Sequence, residues 1–334
     1  MSKQGPADLG RLSALLRAWL APLAALGLVA GLAFGSRWRL PHPELLIQLA
    51  IFAMTYPMFL GITTRELGRT LRAGRVLAAS LVLNYGLSPL LALGLAVLFL
   101  RGEPPEFSAG LVLFGLVPCG NMGAVYTTLA GGNAALAMGI LALTYLLDLP
   151  LVPLLSRLFV GRFVSVPVEL LAGYLFWILL LPLSAAALTR RVVRARSGER
   201  GLSRLAEGAA GFSTLGLAAV VFVICSVRAP ELLSNPAIFL KLCLPVPLLF
   251  LALALLSAAG ARLLGLPAGD ALALMVTSVT KNAALALALA TLTFGPLAAL
   301  PIIMAGPFLQ VPFILLFVRL APRLRPWLTA GKAA

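Results

Sequence analysis

The sequence predicts an all-α polytopic membrane protein: ten transmembrane helices in two inverted five-helix repeats, with helices four and nine broken. Three observations carry this expectation. Of 334 residues, 61% are apolar and only 11% charged, whereas soluble domains hold roughly 45–50% and about 25%. The apolar residues fall into ten runs close to the roughly 20 residues that span a bilayer. Polar and proline features of the first half return in the second at a nearly constant offset. This balance excludes an ordinary soluble enzyme, a disordered tail and a secreted disulfide scaffold.

The ten runs are 15–34, 45–62, 76–100, 109–129, 134–158, 170–188, 209–227, 237–263, 271–294 and 297–320. The first is too long for a signal-peptide core and has no clean cleavage site after it, so it reads as a helix. Loop charge sets the orientation. With the N-terminus cytoplasmic, eighteen Lys and Arg residues fall on inside segments and seven outside. That bias fits ten helices with both ends inside the plasma (inner) membrane. The net charge of +15 is thereby explained by loop anchoring, and nucleic acid is not an expected partner.

The basic stretch 189–208 reads as a cytoplasmic linker after the sixth run. The midpoint falls earlier, in the short loop 162–169. It divides the chain into 1–162 and 163–334, five runs each, so the second half enters the membrane from the opposite side. PCGN in the fourth run answers VTKN in the ninth, and Asn121 and Asn282 lie 161 positions apart. LDLPLVPLL in the fifth answers LQVPFILLF in the tenth. There Asp148 and Gln310, like Pro150 and Pro312, lie 162 apart.

Little conventional chemistry is available. Cys119, Cys225 and Cys243 show no CxxC spacing, and the single histidine, His42, excludes multi-histidine metal sites. No phosphate-binding GxxxxGK[ST] occurs. The expectation is therefore no enzyme, no cofactor and no metal.

The fourth and ninth runs are the informative pair. Pro118 removes a backbone donor before Cys119, Gly120, Asn121 and Gly123, which favours a break in mid-membrane. Thr277, Ser278, Thr280, Lys281 and Asn282 form a polar patch between two apolar halves. Unwound helices offer carbonyls, and their half-helix N-termini attract anions. The substrate-binding expectation is accordingly Pro118, Cys119, Gly120, Asn121, Thr277, Ser278, Thr280, Lys281 and Asn282. A kinked helix with interhelical hydrogen bonds is the plainer reading of either patch alone.

A charge at Lys281 costs at least roughly 2.5–3.5 kcal/mol in mid-bilayer. Asp148 is the only acid deep in a run. Lys281 and Asp148 are thus either a structural ion pair or groups coupled to substrate or protons. Cys119 is either a small packing residue or a soft ligand beside the break. Asn84 and Tyr85, like Thr55 and Tyr56, are explained by hydrogen bonds between helices.

FSAGLVLFGLVPCGNMGAVYTTLAGGNAALA resembles the fourth helix of the bile acid/arsenite transporter superfamily. SVTKNAALALALATLTFGPLAALPIIMAGPFLQVPFILL resembles its ninth and tenth. MTYPMFLGIT, SLVLNYGLSPL, the Pro-Cys pair and GPFLQVP resemble its arsenite permease branch most. The resemblance spans roughly 49–320. It implies a core domain (helices 3–5 and 8–10) whose broken fourth and ninth helices cross, a panel domain (helices 1, 2, 6 and 7) that rocks against it, and efflux of arsenite or antimonite with Cys119 at the essential cysteine.

Departures matter. Ala284 stands where that branch places an acid. Gly123 and Ala124 replace the Ser-Asn sodium ligands of the bile acid branch, and Thr277 and Lys281 replace its Glu and Gln. A lysine where a cation would sit favours a sodium-independent carrier of a metalloid or small anion. The alternatives are a bile-acid-type importer of a carboxylate or sulfonate, and a non-transporting sensor on the same fold. The absence of a visible soluble domain argues against the sensor. Partners are a small substrate and the bilayer, and the sequence leaves the oligomeric state open.

Overall fold

The computed structural model describes residues 15, 19–60, 71–120, 122–227, 229–234 and 241–329. Every regular element among them is helical, with no strand. Among the described residues six helices are long and apolar enough to cross a membrane: Gly74–Phe99, Ala134–Arg162, Val168–Val227, Lys241–Leu263, Ala268–Phe294 and Pro296–Leu328. Large apolar side chains point outward along them; Leu98 is 71% exposed and Leu263 87%. A water-facing surface rarely carries so much contiguous apolar area.

The chain forms two compact units. One comprises residues 1–62 and 173–236, the other 63–172 and 237–334.

In the first unit, α1 (Leu20–Gly35) packs along the later part of a long helix that begins in the other unit. Gly27, Gly31 and Gly35 make this possible. A Cβ on them would stand 2.6, 2.5 and 2.0 Å from the carbonyl oxygens of Ala218, Phe222 and Ser226. Small residues every fourth position let two backbones approach this closely in a bilayer. α2 (Pro43–Leu60) adds a hydrogen bond of 2.9 Å between the hydroxyls of Tyr56 and Thr189.

The stretch 189–208, expected as a linker, is helical. Val168–Val227 runs on with one interruption at Gly198, where φ is 64°. Its Ala, Arg, Leu and Glu residues are good helix formers, and glycine is the residue that accepts that positive φ. The expected sixth and seventh runs are therefore joined by charged helix. The short helix Ala229–Ser234 follows.

In the second unit, α3 (Gly74–Phe99) contains a π-helical segment at Val82–Leu87. α4 (Pro105–Leu116) is buried from Phe107 onward. Its Gly110 lies so close to the Ala298 carbonyl that a Cβ would come within 1.9 Å. α5 (Met122–Leu129) and α6 (Ala134–Phe159) follow. The second half adds α7 (Pro245–Leu263), α8 (Ala268–Val279), α9 (Ala283–Phe294) and α10 (Pro296–Ile303). A second π segment, Met304–Gln310, leads into α11 (Val311–Thr329).

The turn between α5 and α6 is tied to the start of α8. Asn133 N–H donates to the Gly269 carbonyl at 2.8 Å, and its side-chain amide donates to Asp270 Oδ1 at 2.8 Å.

Candidate functional site

Two helix breaks meet inside the second unit. The first follows α4, where Val117 is extended (φ −71°, ψ 123°). Its cause is local: the residue before a proline is driven out of the helical region, and Pro118 comes next. The second follows α8, where Thr280 is extended (φ −73°, ψ 113°). No proline stands there.

A side chain from elsewhere holds the second break open. Gln310 Oε1 accepts the Lys281 N–H at 2.8 Å, and Gln310 Nε2 donates to the Lys281 carbonyl at 3.2 Å. One amide thus satisfies the Lys281 N–H that the break leaves bare and adds a second donor to its carbonyl, which also accepts from the Ala283 N–H at 3.0 Å. Asn282 then caps α9, accepting the Leu285 N–H at 3.1 Å.

The breaks touch. Asn282 N–H donates to the Pro118 carbonyl at 2.8 Å. A Cβ on Gly120 would lie 3.4 Å from Asn282 Cα. Cys119 Sγ lies 3.5 Å from Thr280 Oγ1 and 3.1 Å from the Gly120 carbonyl. Gly123 leaves room for that thiol, since a Cβ there would stand 2.1 Å from the sulfur.

Lys281 lies at the crossing and is only 2% exposed. Its ammonium donates to Asn84 Oδ1 at 3.0 Å. Asn84 is oriented for this by its own Nδ2, which donates to the Ser80 carbonyl at 3.0 Å. The next residue, Tyr85, donates to Asp148 Oδ1 at 2.8 Å. Among the described residues no ion pair joins Lys281 to Asp148; Asn84 and Tyr85 receive them separately. The structural ion pair that the sequence allowed is not formed. Lys281 is still close enough to act electrostatically on Asp148 and Cys119.

Of the expected site residues, Pro118, Cys119, Gly120, Thr280, Lys281 and Asn282 come together here. Thr277 and Ser278 donate into their own helix, to the carbonyls of Ala273 and Leu274, each at 2.8 Å. Asn121 lies outside the described residues. Three further contributors, Asn84, Tyr85 and Gln310, are noted in the sequence but not assigned to the site, and a fourth, Tyr145, is not singled out; its hydroxyl accepts from Asn282 Nδ2 at 3.2 Å. The first three sit in the two π segments. Such bulges often mark functional positions, but no single residue type announces one.

Paired helix breaks that meet inside one compact unit, with a buried lysine at the contact, fit a multi-pass membrane transporter. The profile of the Sodium Bile acid symporter family matches residues 48–235, more than half of the chain. The chain belongs to that family. It is 23% identical to the arsenical-resistance protein Acr3 of Corynebacterium glutamicum, over 96% of this chain and 92% of that one. Acr3 of Alkaliphilus metalliredigens is also 23% identical, over 87% and 85%. An uncharacterized sodium-dependent transporter of Bacillus subtilis, YocS, is 28% identical over 73% and 76%.

Proposed function

We propose that this protein is a sodium-independent secondary carrier that exports a metalloid or small anion across the helix crossing. The carrying observation is the Lys281 ammonium, buried where two broken helices touch and held by Asn84 Oδ1 at 3.0 Å. A fixed cation beside half-helix termini suits an anion and repels a bound metal cation. Hard cations need several oxygen ligands. At the positions where the bile acid branch places its sodium ligands, Gly123, Ala124 and Lys281 offer no side-chain oxygen, and the Thr277 hydroxyl is turned into its own helix.

Export of arsenite is the first reading of the substrate, supported by the printed names of the two Acr3 relatives and by the Cys119 thiol at the crossing. In this reading the chain carries two inverted five-helix repeats in the plasma membrane with both termini cytoplasmic. The unit at 63–172 and 237–334 serves as core, and the other as panel. The second reading, import of an organic carboxylate or sulfonate with sodium, is favoured by the family description and by YocS.

The test is transport by the purified protein in liposomes, with arsenite and taurocholate offered separately. Arsenite movement should fall to background in Cys119→Ser, because a thiol binds a soft metalloid and a hydroxyl does so poorly. Cys225→Ser should change nothing. Arsenite transport unaffected by Cys119→Ser would remove the thiol from the site. Taurocholate transport alone would move the reading to the organic anion.

A further inference from the structure

One group near the crossing has no answer in its surroundings. Asp148 is fully buried, and its Oδ2 has no hydrogen-bond partner. Its Oδ1 accepts from Tyr85, whose hydroxyl also lies 3.0 Å from the Thr144 carbonyl. Gln310, at the matching position 162 residues later, is different. Both of its polar atoms are engaged on the Lys281 backbone. One position thus carries a neutral amide locked in place. The other carries an ionisable carboxyl with an unfilled oxygen.

A carboxylate with a bare oxygen in apolar surroundings is heavily penalised, and a proton on that oxygen removes the charge. The ionisable groups that act on Asp148 are Tyr85 from α3 and Lys281 from the α8–α9 break, and Tyr145 on its own helix feels its charge. Cys119, from the α4–α5 break, acts on Lys281 and Tyr145. Lys281 is the one cation among them, and it contacts Asn84 rather than Asp148.

We infer that Asp148 is the proton-binding site of the transport cycle, with Lys281 as the cation near it and Tyr85 as the positioning residue. Taking up a proton forms an O–H bond at Oδ2 and cancels the carboxylate charge. Releasing it breaks that bond and restores the charge. With Asp148 ionised, the two charges near the crossing largely cancel. With Asp148 protonated, the ammonium stands alone and an anion is favoured there. Proton and anion therefore bind with mutual preference, and such coupling is reciprocal. The two move in the same direction, so an inward proton gradient would drive the second reading, import of an organic anion, and not export. The inference rests on the reading that substrate crosses beside Lys281.

Infrared spectroscopy of the full chain in lipid, without substrate, tests it. A carbonyl-stretch band from a buried protonated carboxylic acid should grow as pH falls. It should be missing from Asp148→Asn and titrate at a different pH in Tyr85→Phe, which removes the donor to Oδ1. In liposomes that carry arsenite or taurocholate, the ratio of rates with and without a pH gradient should fall to one in Asp148→Asn. Should that variant misfold, Asp148→Glu keeps a carboxyl and should show a band titrating at a shifted pH. A wild-type protein with no titrating band, or a band that survives in Asp148→Asn, overturns the inference. If the band behaves as expected but neither substrate moves, the proton site stands and the proposed substrate falls.

Discussion

Lys281 shows how one residue carries several levels of the argument. Its side chain places a charge at the crossing, and its backbone N–H and carbonyl are held by Gln310. Changing the side chain therefore tests the charge without cutting the backbone clamp. In Lys281→Gln a donor one atom shorter remains on the side facing Asn84 Oδ1, but the positive centre is gone. Transport should drop at least about tenfold, equivalent to roughly 1.4 kcal/mol, while the purified protein stays monodisperse. Lys281→Arg keeps the charge and should retain more transport than the glutamine variant. The double change Lys281→Gln with Asp148→Asn should not restore the wild-type rate, because no ion pair links the two residues. Full rescue by the double change would show that charge balance is all that Lys281 supplies.

At the level of elements, the two breaks differ in what holds them. Gln310→Leu should orphan the N–H of Lys281, at about 1–3 kcal/mol for a buried group left unmade, while the carbonyl keeps the Ala283 N–H. Thermal unfolding in detergent should report a lower midpoint, and transport should fail with it. An unchanged midpoint would mean that α8–α9 stays broken without the clamp. The α1 packing gives an independent test in the other unit. Gly31→Leu would drive a side chain into the Phe222 carbonyl and the Cys225 Cβ, which a Cβ alone would approach to 2.5 and 2.9 Å. Overpacking of this kind costs about 1–3 kcal/mol, read as a fall in the same midpoint. Gly94→Ala, where a new Cβ meets nothing within 4 Å, should cause no loss.

For the whole molecule, the charge distribution and the crossing lead to one expectation about energy coupling. A carrier whose site already contains an ammonium has no need to recruit sodium to neutralise an anion. Replacing sodium with choline at a fixed membrane potential should leave the transport rate unchanged. A rate that vanishes in choline would make this protein a sodium-coupled member of its family, with sodium ligands outside the positions considered. Lys281→Gln would then be expected to strengthen sodium dependence, since removing the ammonium lifts its repulsion of a cation.

The helical class and the membrane setting were legible in the sequence because the bilayer demands long apolar runs, and composition reports them directly. The first break was legible for a similar reason. Pro118 biases its own neighbour through covalent geometry, which favours Val117 leaving the helix, although Pro150 and Pro153 stand inside a continuous helix. The second break was visible only as a polar patch, since nothing in VTKN forbids a helix. Gln310, 29 residues away, decides it by hydrogen-bonding the Lys281 backbone. The same holds for the partners of the two buried charges. Asn84 and Tyr85 are adjacent in the chain, yet a π segment turns one to Lys281 and the other to Asp148. Sequence spacing registers what a residue does to its neighbours. Which distant side chain satisfies a buried polar group is settled only when the helices pack, because only packing removes the water that would otherwise serve.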